Sequence, residues 1–119
     1  MATYTDIIAD QGSTYSSQIE VRNALNLPYD LTGCAARGQI RKSYMSSTAV
    51  DFTAIVDADP YTGVVHINLS AEQTLAMKAG RYLYDVEIYR DYIENGQTVT
   101  LVMRIAEGQF EINPSVTRA

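Results

Sequence analysis

Two side chains in this chain could support nucleophilic or metal chemistry, and each is the only one of its type. Cys34 is the single cysteine and His66 the single histidine. A cysteine nucleophile needs a base within hydrogen-bond reach and a third group that orients the base, and no third group is indicated. A metal site needs several ligands, which the sequence does not supply. We therefore expect Cys34 to be a small buried residue and His66 to be a strand-surface residue.

Acidic residues form two further groups. Asp57 and Asp59 precede Gly63, but the segment lacks the later carboxylate of an EF-hand loop, so a turn is expected there instead of a calcium site. Asp85 and Glu87 are two residues apart and would share one face of a strand. Such a pair suits a glycosidase only where the two carboxylates flank a cleft. A solvated edge or an interface is the simpler expectation.

Arginines on another predicted strand could accompany that carboxylate pair. Arg37 and Arg41 lie on the polar face of the segment from Cys34 to Ser43 and could pair with Asp85 and Glu87 across strands. We treat these four side chains as interface candidates. The sequence predicts no catalytic residue, no metal and no cofactor, and the chain is not expected to be an enzyme.

Tyrosine is the abundant aromatic residue, with nine copies and no tryptophan. Tyrosine is enriched at protein interfaces, where it supplies rigid contact area, and it is equally common in β-sheet cores. Tyr82 and Tyr84 lie on the predicted core face of one strand. Tyr44, Tyr89 and Tyr92 lie off that face or in a polar stretch, so we expect them at an interface.

Composition limits the classes of partner. The chain has 119 residues, 46% hydrophobic and 19% charged, which fits one folded domain over residues 1–119. A net charge of −5 and a pI of about 4.6 argue against phosphate-mediated binding of nucleic acid. No apolar run approaches a membrane span, so no membrane contact is expected. The segment from Met1 to Asp6 lacks the features of a secretory signal.

Short alternating segments separated by turn residues predict an all-β fold. The expected strands are 4–9, 14–23, 34–43, 51–56, 64–69, 81–90, 98–105 and 109–113. Asn95-Gly96 is a strong hairpin signal, and Glu107-Gly108 suggests a break or bulge before the last strand. An antiparallel immunoglobulin-like β-sandwich is expected, with a small barrel as the alternative. Residues 1–12 form either its first strand or an exchangeable arm.

A short helix is expected at the corner between two strands. Ser70 and Gln73 form a capping box, which predicts a helix over residues 71–79, with Gly80 in the left-handed position after it. The following Tyr-x-Tyr start suggests a tyrosine corner, in which a hydroxyl bonds the backbone just upstream. Small residues on one face of the 34–43 strand (Cys34, Ala36 and Gly38) indicate a bulky neighbour, for which tyrosines of the facing sheet are the expected candidates.

Several motifs between Asp30 and Thr117 suggest a family. They are residues 30–33, 36–41, 67–70 with Thr74, 80–87, and 104–108 with Pro114, Val116 and Thr117. In this order they resemble small structural proteins of tailed-bacteriophage virions, and they are similar to the N-terminal domain of phage upper-baseplate proteins. Cys34 departs from the pattern, because a larger residue is expected there.

The resemblance implies a non-enzymatic structural or adaptor protein of the virion, made in the host cytoplasm. Such a protein would dock on other phage virion proteins in the baseplate, tail or neck, and it would be a homo-oligomer within a symmetric assembly. Two alternatives stay open. One is a decoration or cement protein of the capsid. The other is a surface carbohydrate-binding module, which the absence of tryptophan disfavours.

Overall fold

The computed structural model describes residues 2–117, which form nine β-strands and two short helical segments. The strands are β1 (Thr3–Tyr4), β2 (Ile7–Asp10), β3 (Tyr15–Glu20), β4 (Ala35–Arg41), β5 (Val50–Asp51), β6 (Thr53–Val56), β7 (Val64–Leu69), β8 (Gly80–Glu94) and β9 (Gln97–Asn113). A 3-10 turn covers Pro60–Thr62, and helix α1 covers Ala71–Ala76. Neither helical segment in residues 2–117 has the length and apolarity to cross a membrane.

The strands form two sheets that pack face to face. The larger sheet has the order β1-β9-β8-β4-β5, with β2 also paired to β9, and the smaller sheet has the order β3-β7-β6. Most pairs are antiparallel, but β1 and β2 run parallel to β9. The predicted all-β, immunoglobulin-like sandwich is confirmed. Its first strands, at the edge of the larger sheet, are the exception to the antiparallel pattern.

The core lies between the sheets and follows the predicted two-residue period. Val65, Ile67 and Leu69 of β7 are buried, as their alternation with polar neighbours predicts. The rings of Phe110 and Phe52 contact edge to face, with centroids 5.9 Å apart. These inward faces bury apolar surface from both sheets, which stabilises the sandwich.

The tyrosine corner is confirmed at Tyr82. Its hydroxyl donates a hydrogen bond of 2.7 Å to the carbonyl oxygen of Lys78, four residues upstream. The ammonium of Lys42 lies 4.8 Å from the centre of the same ring, within cation–π range. The turn between α1 and β8 is therefore held to the sheet by one side chain.

Helix α1 begins as predicted and ends sooner. The capping box is formed: the Ser70 hydroxyl accepts from the Gln73 amide, and the Gln73 side chain accepts from the Ser70 amide. The helix ends at Ala76, because Met77 is extended and buries its side chain in the core. The predicted extent to residue 79 and the cap at Gly80 are wrong, since Gly80 begins β8 opposite Ile112.

Other strand predictions also differ from the structure, and β8 continues to Glu94 instead of ending at residue 90. The segment from Asp51 to Val56 divides between the two sheets, and Phe52 between β5 and β6 turns into the core. The predicted first strand is interrupted between β1 and β2. The predicted strands 98–105 and 109–113 are one strand, β9, in which a bulge lies where Val86 pairs with Ala106 but Glu87 pairs with Arg104.

At Gly38, the small residue of β4 accommodates a phenylalanine and a valine. An added Cβ at Gly38 would lie 3.0 Å from the Phe52 ring and 2.9 Å from the Val86 side chain. At Gly38 the expected tyrosine of the facing sheet is therefore wrong, and the predicted core tyrosines Tyr82 and Tyr84 belong to β8, which pairs with β4 in the same sheet. Cys34 is half-buried against the core, just before β4.

Candidate functional site

The longest feature of the molecule is a two-stranded arm, which we define as residues 90–102. The first residue of β4, Ala35, lies opposite Tyr89, and β1 pairs only from Ala106 onward, so β8 and β9 continue beyond both neighbours. Asn95 and Gly96 close the arm with φ values of 52° and 77°, which fits the tight turn that Asn-Gly predicts. The molecule measures 55 Å along its long axis and 29 and 23 Å across.

Both faces of the arm carry apolar side chains in contact with solvent. Residues directly opposite in an antiparallel pair share a face. Tyr92 lies opposite Val99 on the face that continues the sandwich core, and Leu101 lies beside them. The other face carries Ile93 and Val102, which are 70% and 45% exposed. An exposed apolar surface of this kind is typical of a contact site for another molecule.

Further exposed apolar residues lie at the same end of the sandwich. The loop between β3 and β4 exposes Leu25 and Leu27, and the turn before β7 exposes Tyr61. These two connections meet where the Leu31 amide donates to the Pro60 carbonyl oxygen over 3.0 Å. The arm and the two connections therefore form one end of the molecule, which we call the arm end.

The interface candidates from the sequence lie mainly on the solvent-facing side of the larger sheet. Arg37 pairs with Glu87 across β4 and β8, and its guanidinium lies 4.5 Å from the centre of the Tyr89 ring. Asp85 lies 3.6 Å from the guanidinium of Arg104 on β9. Each of the two carboxylates is thus held by an arginine of a neighbouring strand.

An open groove of about 690 Å³ lies beside these ion pairs. Arg37, Asp85, Glu87 and Phe52 are among its lining residues. The two carboxylates of the groove each face an arginine on a neighbouring strand, Glu87 facing Arg37 and Asp85 facing Arg104. We call these two cross-strand pairs the ion-pair ladder. Exposed pairs of this kind contribute little to stability and more to the choice of partner.

Arg41 and Tyr44 occupy a different place from the ion-pair ladder. The Arg41 guanidinium donates to the Ser46 carbonyl oxygen over 2.6 Å and to Gln39 over 2.8 Å, so it orders the loop after β4. Tyr44 in that loop is 83% exposed. Arg41 lies opposite Leu83 and makes no ion pair with Asp85 or Glu87, so the expected cross-strand pairing is formed by Arg37 alone.

His66 and Asp57 form a pair on the smaller sheet. The His66 Nε2 atom lies 2.7 Å from an Asp57 carboxylate oxygen. This hydrogen bond, followed by one from the Asp59 amide, lowers the pKa of Asp57. Within residues 2–117 no group of three histidine, cysteine or acidic side chains could hold a metal ion. Burial raises the pKa of the Cys34 thiol, which disfavours the nucleophilic thiolate.

The first strands are fastened to the sheet by side chains as well as by backbone pairing. The Thr5 amide donates to the Glu107 carbonyl oxygen over 2.9 Å, and the Asp6 carboxylate accepts from the Gln109 amide over 3.1 Å. The Tyr84 hydroxyl donates to the Thr5 carbonyl oxygen over 2.5 Å. Strands β1 and β2 thus pair with β9 of their own chain, while Met1 lies outside the described residues.

The sequence analysis named Tyr92 as an interface candidate. It did not name the exposed apolar residues near Tyr92 in the arm, which are Ile93, Leu101 and Val102. The available signal was the Asn95-Gly96 turn, which fixes the pairing of the two strands and hence their length. Their exposure depends on where β4 and β1 stop, which the local pattern does not contain.

Comparisons with known proteins do not assign the chain to a family. No protein-family model matches the chain, and no curated protein sequence matches it. Among solved structures, the chain is similar to AggA, the major subunit of aggregative adherence fimbriae type I from Escherichia coli, with 6% identity, a TM-score of 0.39, and coverage of 91% of this chain and 89% of that one. It is also similar to a family 123 glycoside hydrolase from Clostridium perfringens, with 14% identity, a TM-score of 0.39, and coverage of 95% of this chain and 23% of that one.

Proposed function

We propose that the chain is a non-enzymatic structural or adaptor protein of a phage virion, which docks through its arm end on other virion proteins in multiple copies. The observation that carries the proposal is the arm itself. It extends past the sandwich and exposes apolar side chains on both faces, of which Ile93 is the most exposed. A sandwich that needed only to fold would gain nothing from this extension, because the arm adds little to the core.

The motif resemblance between Asp30 and Thr117 supplies the virion setting of the proposal. The acidic charge of −5 agrees with docking on protein instead of nucleic acid. The polar side chains of residues 2–117 support the proposal that the protein is not an enzyme. Asp85 and Glu87 face arginines, and in residues 2–117 every buried side-chain nitrogen or oxygen has a hydrogen-bond partner.

A tagged copy of the chain, expressed during infection by the phage that encodes it, tests the proposal. Purified particles are analysed by quantitative mass spectrometry, and the tag is located by cryo-electron microscopy. We expect the chain in the particle at the neck, tail or baseplate. Its absence from purified particles would overturn the virion proposal, and density on the icosahedral shell would replace the adaptor role with capsid decoration.

Matched variants test the arm end in the same experiment. Ile93→Asp removes an apolar contact from the arm, whereas Ile55→Asp makes the same change at a 55% exposed position on β6. We expect the Ile93 variant to be incorporated at a lower level than the wild-type chain and the Ile55 variant to be incorporated normally. Equal incorporation of both variants would show that the arm end is not the docking surface.

A further inference from the structure

One edge of the arm is an open strand edge. Residues 90–94 of β8 pair with β9 on one side, and on the other side β4 begins only opposite Tyr89 and leaves these residues without a partner strand. The chain just before β4 forms a turn, in which the Cys34 amide donates to the Leu31 carbonyl oxygen over 2.9 Å, and it does not pair with residues 90–94. Within residues 2–117 no strand covers this edge, and such edges readily pair with another chain.

The turn determines which backbone groups face outward along that edge. In a two-residue hairpin the residues that flank the turn, here Glu94 and Gln97, exchange both of their hydrogen bonds. The pattern alternates along the strand. Arg90 and Tyr92 therefore also direct their amide and carbonyl groups toward β9, whereas Asp91 and Ile93 direct theirs outward. The outward groups recur at alternate residues, as an antiparallel partner strand requires.

The charges on the edge match those of a second copy. Arg90 and Glu94 lie on the same face of the arm, and within residues 2–117 neither forms an ion pair. Asp30 attracts Arg90 from a greater distance, as a minor influence on the pKa of Asp30. If two copies pair antiparallel with Tyr92 opposite Tyr92, Arg90 of each copy lies opposite Glu94 of the other.

We propose that two copies of this chain pair antiparallel through residues 90–94 of β8, around a two-fold axis at Tyr92. Asp91 and Ile93 supply the backbone hydrogen bonds, and the two Arg90–Glu94 contacts select this register. The two arms then form one four-stranded sheet, in which the faces bearing Tyr92, Val99 and Leu101 become continuous. This contact is isologous, so it closes at two copies. The proposed pairing rests on the proposed function, which takes the arm as the part of the molecule that binds other proteins. It adds a second copy of this chain as one of those partners.

Disulfide trapping tests the register directly. Opposite residues of a pair without mutual backbone hydrogen bonds have close Cβ atoms, and a two-fold axis at Tyr92 places residue 92 opposite itself. In a Cys34→Ser background, Tyr92→Cys is expected to form a disulfide-linked dimer under mild oxidation. Val99→Cys, opposite Tyr92 on β9, has the equivalent backbone orientation on the other edge of the arm. It is the matched control and is expected to stay monomeric.

The two cysteine variants also separate the alternatives. Linkage through Val99→Cys without linkage through Tyr92→Cys would replace the proposed edge by that of β9. Linkage through neither variant, with a monomer in sedimentation equilibrium at high protein concentration, would overturn self-pairing. Neither result would contradict the proposed function, because the chain could still enter the virion and dock on a different protein.

A charge exchange tests the two ion-pair contacts. Arg90→Glu alone and Glu94→Arg alone place like charges opposite each other at both ends of the contact. We expect each to reduce dimer formation by Tyr92→Cys about tenfold, since two favourable pairs become unfavourable. The double exchange restores opposite charges and is expected to restore linkage. Arg81→Glu, at the far end of β8, is the control. Failure of the double exchange to recover dimer would overturn the proposed register.

Discussion

The Tyr84 hydroxyl on β8 donates a hydrogen bond of 2.5 Å to the carbonyl oxygen of Thr5, at the break between β1 and β2. This contact joins the centre of the larger sheet to its parallel edge, because β9 lies between the two elements. Tyr84→Phe keeps the ring and leaves the Thr5 carbonyl without this donor. We expect a loss of roughly 1 kcal/mol in the free energy of unfolding, measured by urea denaturation.

The control for that substitution is Tyr61→Phe, since Tyr61 is exposed in the 3-10 turn. It is expected to leave the free energy of unfolding within about 0.5 kcal/mol of the wild-type value. Equal effects of the two substitutions would show that the Tyr84 hydroxyl contributes nothing specific.

The Tyr84 hydroxyl also makes the stability of the fold depend on pH in the alkaline range. Burial, followed by the nearby Tyr15 and Asp6, raises the pKa of Tyr84 to about 12. In the unfolded chain the hydroxyl loses its proton near the ordinary pKa of 10, whereas in the folded chain it keeps the proton until about pH 12. Between these two pH values deprotonation therefore stabilises only the unfolded state. The contribution of Tyr84 is complete below pH 10 and is lost as the pH rises toward 12. Tyr84→Phe is expected to show a shallower loss of stability in that range, and an unchanged slope would contradict this assignment.

Thr74 connects helix α1 to the turn between β2 and β3. Its side chain is fully buried, its hydroxyl donates to the Ser13 carbonyl oxygen over 2.8 Å, and it accepts from the Gly12 amide over 3.1 Å. Thr74→Val leaves both backbone groups without this partner. We expect a loss of about 1–3 kcal/mol in the free energy of unfolding, measured by chemical denaturation.

A matched control for Thr74 is Thr48→Val in the exposed loop after β4, which is expected to have little effect on stability. The prediction would be wrong if the two valine variants unfolded at the same urea concentration.

Local patterns predicted the elements whose limits depend on adjacent residues. Strand β7 has the predicted bounds, since Val65, Ile67 and Leu69 alternate with polar residues between a turn and a helix cap. The capping box at Ser70 is likewise a contact between residues three apart. These features require no knowledge of the distant chain.

Features that depend on distant partners were missed. Phe52 separates two strands that join different sheets, and nothing in its immediate sequence marks that crossing. The parallel pairing of Ile7 with Phe110 joins the two ends of the chain. For the candidate site, the pairing of Arg37 with Glu87 was foreseeable from strand faces. The exposure of Ile93 was not, because it depends on where neighbouring strands end.

Gly38 allows the close approach of three neighbours on the inner side of β4. An added Cβ would lie 2.9 Å from the Asp85 carbonyl oxygen, with Val86 and Phe52 almost as near. Gly38→Ala is expected to lower the free energy of unfolding by roughly 1–3 kcal/mol through overpacking, measured by thermal or urea denaturation.

A double-mutant cycle with Phe52→Leu identifies the source of that cost. The smaller leucine relieves one of the three contacts, so Gly38→Ala is expected to cost less in the Phe52→Leu background than in the wild-type chain. Strictly additive effects would indicate that the Asp85 backbone and the Val86 side chain, and not the Phe52 ring, limit the space.

Substitutions in the arm are expected to separate folding from association. Ile93 and Val102 lie on a solvent-facing side of the arm, so Ile93→Thr and Val102→Thr remove exposed apolar surface while keeping β-branched residues suited to strands. We expect changes within about 0.5 kcal/mol in the free energy of unfolding. Association measured by static light scattering is expected to fall, because the apolar contact area is smaller.

Ile67→Thr in the core makes the same change at a buried position and should instead lower stability. Destabilisation by the arm substitutions to the same degree as by Ile67→Thr would mean that the arm packs within its own protomer, and the surface proposed here for docking would not exist.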